Sequence, residues 1–220
     1  MENKKLPSSY QEVKQLMLFM GYKWFDAFMD PNLVFFRMSD IYTNEFSDYF
    51  CVCFNNENGE FFKMWPCSTK PALYGKGAVT DPNTIHGIKA VGVLAPGQYL
   101  GAWKMTNFDQ LKYGDPFKGN PNPHLVPSMH QVGRFRCYRD GDLDTKIDKE
   151  VLMNSYPGDG FNFHYATGKY LSFKGSGYLP WSTGCPVSTP DVLIAAFNIL
   201  EKTIIYSGDV ISPTIIEIYD

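Results

Sequence analysis

Asp48-Tyr49-Phe50-Cys51-Val52-Cys53-Phe54-Asn55-Asn56-Glu57-Asn58-Gly59-Glu60-Phe61-Phe62-Lys63-Met64-Trp65 is the stretch on which the fold class turns. Two runs rich in aromatic residues flank an Asn-Gly step. Asn and Gly take up positive φ at little cost, and tight antiparallel hairpins need that at the turn. The stretch therefore predicts a hairpin, with Asp48–Phe54 running out and Glu60–Trp65 returning. Working outward, strands are expected at Leu33–Met38, Ile88–Leu94, Tyr99–Met105, Gln131–Tyr138, Phe161–Tyr165 and Pro213–Tyr219. Residues 9–20 suit a helix, with Ser8 or Ser9 as cap, Val13, Leu16, Met17 and Met20 at helical spacing, and Gly21 as the stop. Pro190-Asp191 opens a second helix to about residue 202, with Val192, Ala195, Ala196 and Ile199 on one face. Lys112–Pro127 reads as a long Pro-, Gly- and Asn-rich loop. The expectation is one domain spanning 1–220, mainly β, with a helix near each end.

The chain has 220 residues, long enough to bury a core without metal or disulfide staples. Its net charge of −3 excludes a strongly basic nucleic-acid binder, and 44% hydrophobic residues exclude a disordered charged tail. No run approaches the roughly 20 apolar residues of a membrane helix. The start, Met1-Glu2-Asn3-Lys4-Lys5-Leu6-Pro7, lacks the apolar stretch of a signal peptide, so synthesis in the cytoplasm is expected.

Five cysteines, Cys51, Cys53, Cys67, Cys137 and Cys185, make an odd number and argue against a disulfide framework. Cys51 and Cys53 would share one strand face as small apolar residues. No Cys-x-x-Cys or His-x3–5-His pair offers a zinc site, and no cofactor is expected. Residues 140–148 place Asp140, Asp142 and Asp144 at alternate positions, like the start of a calcium loop. Position 6 is Thr145 and position 12 is Val151, however, so a solvated hairpin is the plainer reading. His86, His124 and His130 have no partner at metal spacing and receive no role.

The chemistry concentrates in residues 160–187. Gly160-Phe161-Asn162-Phe163-His164-Tyr165 is followed by Trp181-Ser182-Thr183-Gly184-Cys185-Pro186-Val187. A thiol attacks as thiolate and needs a base, and an imidazole can take its proton and return it to a leaving amine. Gly184 permits a close backbone bend, so that its N–H and that of Cys185 can face a developing oxyanion. On spacing alone, a buried small cysteine and a satisfied histidine are the commoner fates. Ser182 would hydrogen-bond the histidine or brace the turn. Trp181 would wall the cleft or pack inward.

The histidine followed by Ser-x-Gly-Cys resembles the active-site motif of YkuD-like L,D-transpeptidases. The wider chain is similar to phage and prophage peptidoglycan-active relatives of that group. The similar blocks are Met20–Phe25, Trp65–Pro71, Leu94–Tyr99, Cys137–Asp142, Phe161–His164 and Trp181–Cys185. The resemblance implies an L,D-transpeptidase-like β-sandwich or barrel and a cysteine acyl transfer on peptidoglycan stem peptides. Cys185 would be the nucleophile and His164 the base, with Gly184 and Ser182 completing the catalytic set. Trp181, Thr183 and Tyr165 would contact substrate. It further implies a phage-encoded wall hydrolase that reaches the host wall after release or as a virion component. The chain departs from the pattern at three places. Tyr165 replaces the glycine after the histidine, Thr183 replaces the second histidine, and no arginine follows Cys185, leaving Arg134, Arg136 or Arg139 to replace its charge. These departures keep open an alternative, a non-catalytic structural or wall-binding module with the same fold.

Overall fold

The computed structural model describes residues 5–41, 43, 45–70, 91–107, 127–140, 146–150, 152–157, 160–165 and 184–219. In chain order the elements are α1 (Tyr10–Phe19), β1 (Asn32–Arg37), β2 (Asp48–Asn56), β3 (Gly59–Cys67), β4 (Val91–Leu94), β5 (Gly97–Gln98), β6 (Trp103–Asn107) and β7 (Pro127–Gln131). There follow β8 (Phe135–Asp140), β9 (Leu152–Ser155), β10 (His164–Tyr165), β11 (Val187–Ser188), α2 (Pro190–Ser207), β12 (Val210–Ile211) and β13 (Pro213–Glu217). The chain is mainly β with one helix near each end.

The hairpin forms as its sequence dictates. Asp48 pairs with Cys67 and Asn56 with Gly59, and Gly59 adopts φ 102° at the turn. This hairpin builds the largest sheet, of order β3-β2-β1-β13-β5. There β1 pairs antiparallel with β2 and parallel with β13, which joins the two ends of the chain. Period-2 alternation splits the two faces of this sheet. Leu33, Phe35, Phe50, Val52 and Ile215 face the main core; Val34, Phe36, Cys51, Cys53 and Ile216 face a second cluster closed by Tyr10, Val13 and Met17 of α1. Ser9 caps α1 by accepting from the Glu12 N–H.

Several elements differ from the expectation. The single strand expected over Gln131–Tyr138 is two, β7 and β8, broken at Gly133. A Cβ there would stand 2.7 Å from the Ala102 Cα, so only glycine permits the close approach. The Tyr99–Met105 strand starts only at Trp103, because Leu100 and Gly101 form a turn with Gly101 at φ 61°. The second helix runs to Ser207 rather than 202, since Thr203 continues its buried stripe and Gly208 ends it. Residues 88–90, 112–126 and 141–145, which carry parts of one expected strand, the long loop and the calcium-like loop, lie outside the described residues. Among the described residues no helix is long and apolar enough to cross a membrane.

A buried polar network anchors the end of β3, and no local pattern in the sequence announces it. The fully buried Arg37 donates from Nε to Thr69 Oγ1 (3.0 Å), from Nη1 to Glu217 Oε1 (3.0 Å) and from Nη2 to the Leu94 carbonyl (2.7 Å). Asp48 accepts from the Met38 N–H (2.9 Å), the Thr69 N–H (2.9 Å) and the Thr69 hydroxyl (2.7 Å). Lys70 reaches Asp48 at 3.3 Å and the Ser39 carbonyl at 2.8 Å. Burial pushes the Lys70 ammonium down from its ordinary value, and Asp48 opposes the shift.

Breaking a buried ion network by removing one partner strands the others in low dielectric. Arg37→Met is therefore expected to cost about 3–5 kcal/mol in chemical denaturation. The half-exposed pair Lys14–Asp26 is screened by water, so Lys14→Ala should cost less than about 1 kcal/mol in the same assay.

Candidate active site

Three small strands carry the site, and backbone bridges sew them into one ribbon. His164 of β10 stands opposite Val187 of β11 in a parallel pair, with the His164 N–H on the Pro186 carbonyl at 3.3 Å. Val187 exchanges two 2.8 Å hydrogen bonds with Ser68, at the end of β3. On the other side Phe163 exchanges bonds of 2.8 and 3.0 Å with Met129 of β7, and Met129 pairs with Met105 of β6. Phe163, Tyr165, Cys67 and Met129 all belong to the main core, and Met105 packs against it. Their neighbours in sequence therefore point to the opposite face. One row across that face reads Ser68, Val187, His164, Ser128, Thr106. Beside it, His130 of β7 pairs with Lys104 of β6. His164 thus lies in β10, and Cys185 sits in the bend two residues before its parallel partner β11.

The Cys185 sulfur is hydrogen-bonded to backbone groups. Its Sγ donates to the Gly160 carbonyl at 2.9 Å and accepts the Asn162 N–H at 3.4 Å. The Gly160–Asn162 segment is itself pinned. Trp103 Nε1 donates to the Phe161 carbonyl at 2.7 Å, and the Phe161 N–H meets Gln131 Oε1 at 2.9 Å. Asn162 Oδ1 accepts the Gln131 N–H at 2.9 Å. The backbone around the sulfur is therefore held by its own hydrogen bonds. Sequence reasoning misses Gln131, Asn162 and Trp103, because a polar side chain that bonds distant backbone leaves no local pattern.

The His164 ring is oriented by its own strand. Nδ1 lies 2.7 Å from the Tyr165 carbonyl, which can only accept. Nδ1 must carry the hydrogen, so in the neutral ring Nε2 holds the lone pair. Burial pushes the His164 pKa down to about 4, and the bond to Tyr165 opposes this in part. At neutral pH the ring is an uncharged base. Both His164 and Cys185 are 7% exposed.

Gly184 adopts φ 139°, and a Cβ there would stand 1.9 Å from the Gly92 carbonyl oxygen of β4. No side chain fits, which is a stricter demand than the bend expected from sequence. Tyr165, expected at the substrate, is fully buried in the main core. Trp181, Ser182 and Thr183 lie outside the described residues. Arg134, a candidate for the missing cation, stacks on the Tyr156 ring at 4.9 Å. Among the described residues no three metal-ligating side chains gather.

Two outcomes follow from this geometry. Gly184→Ala should lower the denaturation midpoint and cut Cys185 alkylation at least about tenfold, because the clash is with backbone that cannot swing away. His164 should also imprint stability. The unfolded ring binds a proton near pH 6.5 and the folded one only near pH 4, so the unfolded state holds more protons between those values. Stability should rise as pH increases from about 4 to about 6.5 and then level off, and His164→Gln should flatten that rise in pH-dependent urea melts.

Compared with known protein families, curated proteins and solved structures, the chain matches none.

Proposed function

We propose that the protein is a cysteine acyl-transfer enzyme of the L,D-transpeptidase type, acting on peptidoglycan stem peptides. The observation that carries this reading is that β10, which holds His164, pairs in parallel with β11, two residues after Cys185, with Nδ1–H tied to Tyr165 so that Nε2 is the basic nitrogen. The resemblance at Phe161–His164 and Trp181–Cys185 supports the choice of substrate.

In the proposed cycle the Cys185 S–H proton passes to His164 Nε2 as the sulfur attacks a stem-peptide carbonyl. The N–H groups of Gly184 and Cys185 stabilise the oxyanion. The imidazolium gives its proton to the departing amine, the C–N bond breaks, and a thioester remains on Cys185. Water, deprotonated by His164, then releases the acid; an amine in its place forms a new crosslink. For a phage-encoded protein made in the cytoplasm and reaching the host wall after release or within a virion, hydrolysis is the outcome that fits. The low resting basicity of a desolvated ring favours a concerted transfer from a neutral thiol over a standing ion pair.

A second reading, a non-catalytic wall-binding or structural module, draws on the Cys185 S–H already engaged with the Gly160 carbonyl and on the replacements at Tyr165 and Thr183. The two readings part on thiol reactivity and product. Burial pushes the thiols of Cys51 and Cys67 up, which makes them poor nucleophiles. Cys185 should therefore alkylate with iodoacetamide fastest of the five at pH 7.5, and His164→Ala should slow it at least about tenfold. Purified peptidoglycan digested with wild type should yield new carboxyl ends by mass spectrometry, or new linkages if transfer dominates. Cys185→Ala should yield neither while keeping the wild-type circular dichroism. Equal products from the two proteins would end the proposal.

A further inference from the structure

Phe161 stands between two peptide units, and each unit presents one end to the Cys185 sulfur and the other to a buried side chain. In the Gly160–Phe161 unit the carbonyl accepts the Cys185 S–H at 2.9 Å, while the Phe161 N–H donates to Gln131 Oε1 at 2.9 Å. In the Phe161–Asn162 unit the Asn162 N–H donates to Cys185 Sγ at 3.4 Å, while the Phe161 carbonyl accepts from Trp103 Nε1 at 2.7 Å. A trans peptide is planar, with its C=O and N–H pointing in opposite directions. Whatever holds one end therefore aims the other.

Gln131 is well placed to be that holder. It ends β7 and is 1% exposed. Its Nε2 donates to the Gly133 carbonyl at 3.0 Å, Ser155 Oγ at 3.0 Å and the Tyr156 carbonyl at 2.9 Å. With the nitrogen committed to these acceptors, Oε1 is left to face the Phe161 N–H. Gly160 adopts φ 87°, and a glycine at the start of the unit leaves it free to turn once released. A carbonyl only accepts, so the sulfur that faces Gly160 presents its proton there.

We propose that Gln131 is a positioning residue for Cys185: by holding the Phe161 N–H it turns the Gly160 carbonyl onto the sulfur, and so fixes where the thiol proton points before reaction. Its effect on turnover rests on the acyl-transfer reading, but the positioning is measured without substrate. Gln131 takes no proton in the cycle given above.

The infrared S–H stretch reports the thiol's hydrogen bond. Each spectrum is referenced to the same protein carrying Cys185→Ala, which isolates the Cys185 band. In the full-length wild type the band should lie below that of a free thiol. Gln131→Met, of like length but without polar atoms, should return it toward the free-thiol position. Gln131→Glu keeps an oxygen for the Phe161 N–H while losing the amide donors, and should retain the wild-type band. Ser155→Ala removes only a bracing bond, and should lower the denaturation midpoint while the band stays in place. If Gln131→Met does not fold, Gln131→Asn, whose amide stops one methylene short, gives the same reading. A wild-type band at the free-thiol position, the absence of a band that marks a thiolate, or equal shifts in the Met and Glu variants would overturn the proposal. Turnover is read separately: Gln131→Met should cut kcat at least about tenfold with KM changed by less than about twofold. If the bands behave as expected but the wild type releases nothing from peptidoglycan, the positioning role stands and the acyl-transfer reading falls.

Discussion

The site depends on the grip that the core has on Phe163. Its ring meets Phe35 and Phe50 at 5.0 Å and Trp103 at 5.9 Å, with Tyr165 buried two residues on. Burying such a ring contributes about 2–3 kcal/mol, and each edge or stacking contact adds about 1 kcal/mol. Because a strand alternates its faces, anchoring positions 163 and 165 leaves position 164 no choice but the other side. A slip of one residue would put the imidazole among aromatic rings and expose two large apolar side chains. The same apolar contacts that hold the fold together therefore aim the His164 imidazole.

Around that fixed point the polar face is assembled from segments far apart in the chain. Ser68, Val187, His164, Ser128 and Thr106 become neighbours only through bridges between β3, β11, β10, β7 and β6. The ribbon is braced along its length. At one end Arg37, Asp48 and Lys70 lock Thr69 and so fix Ser68 beside Val187. In the middle, Gln131 accepts the Phe161 N–H at Oε1 and donates its own N–H to the Asn162 side chain, whose backbone N–H meets Cys185. Behind Cys185, Gly184 rests on the Gly92 carbonyl with no room for a side chain. The sulfur, the ring and their surroundings are thus placed by backbone contacts, which resist substitution better than a cluster of long side chains would.

The Asn58-Gly59 hairpin, both helices and the β-rich character are legible in the sequence, since turn residues, caps and periodicity act over a few positions. The motif likewise points to His164 and Cys185 as a pair. What the sequence hides depends on long-range register. Arg37 sits in an apolar run and resembles a solvent-facing residue, yet it is fully buried because Glu217, Thr69 and Leu94 converge on it from three distant segments. The break at Gly133 reflects the closeness of Ala102, which no window around residue 133 contains. The replacement of a histidine by Thr183 reads as a loss in the sequence. With Nδ1 of His164 held by the Tyr165 carbonyl, ring orientation does not require that second imidazole.

The central claim is that His164 makes the Cys185 sulfur a nucleophile toward a peptide carbonyl. Intact-mass spectrometry tests it most directly, with wild-type protein mixed with purified muropeptides and quenched in acid within the first turnover. A mass increase equal to the acyl part of the stem, located on the peptide containing Cys185 and absent in His164→Ala, is the predicted result. A wild-type protein that stays at its unmodified mass while muropeptides are consumed, or an adduct on any other residue, would contradict it.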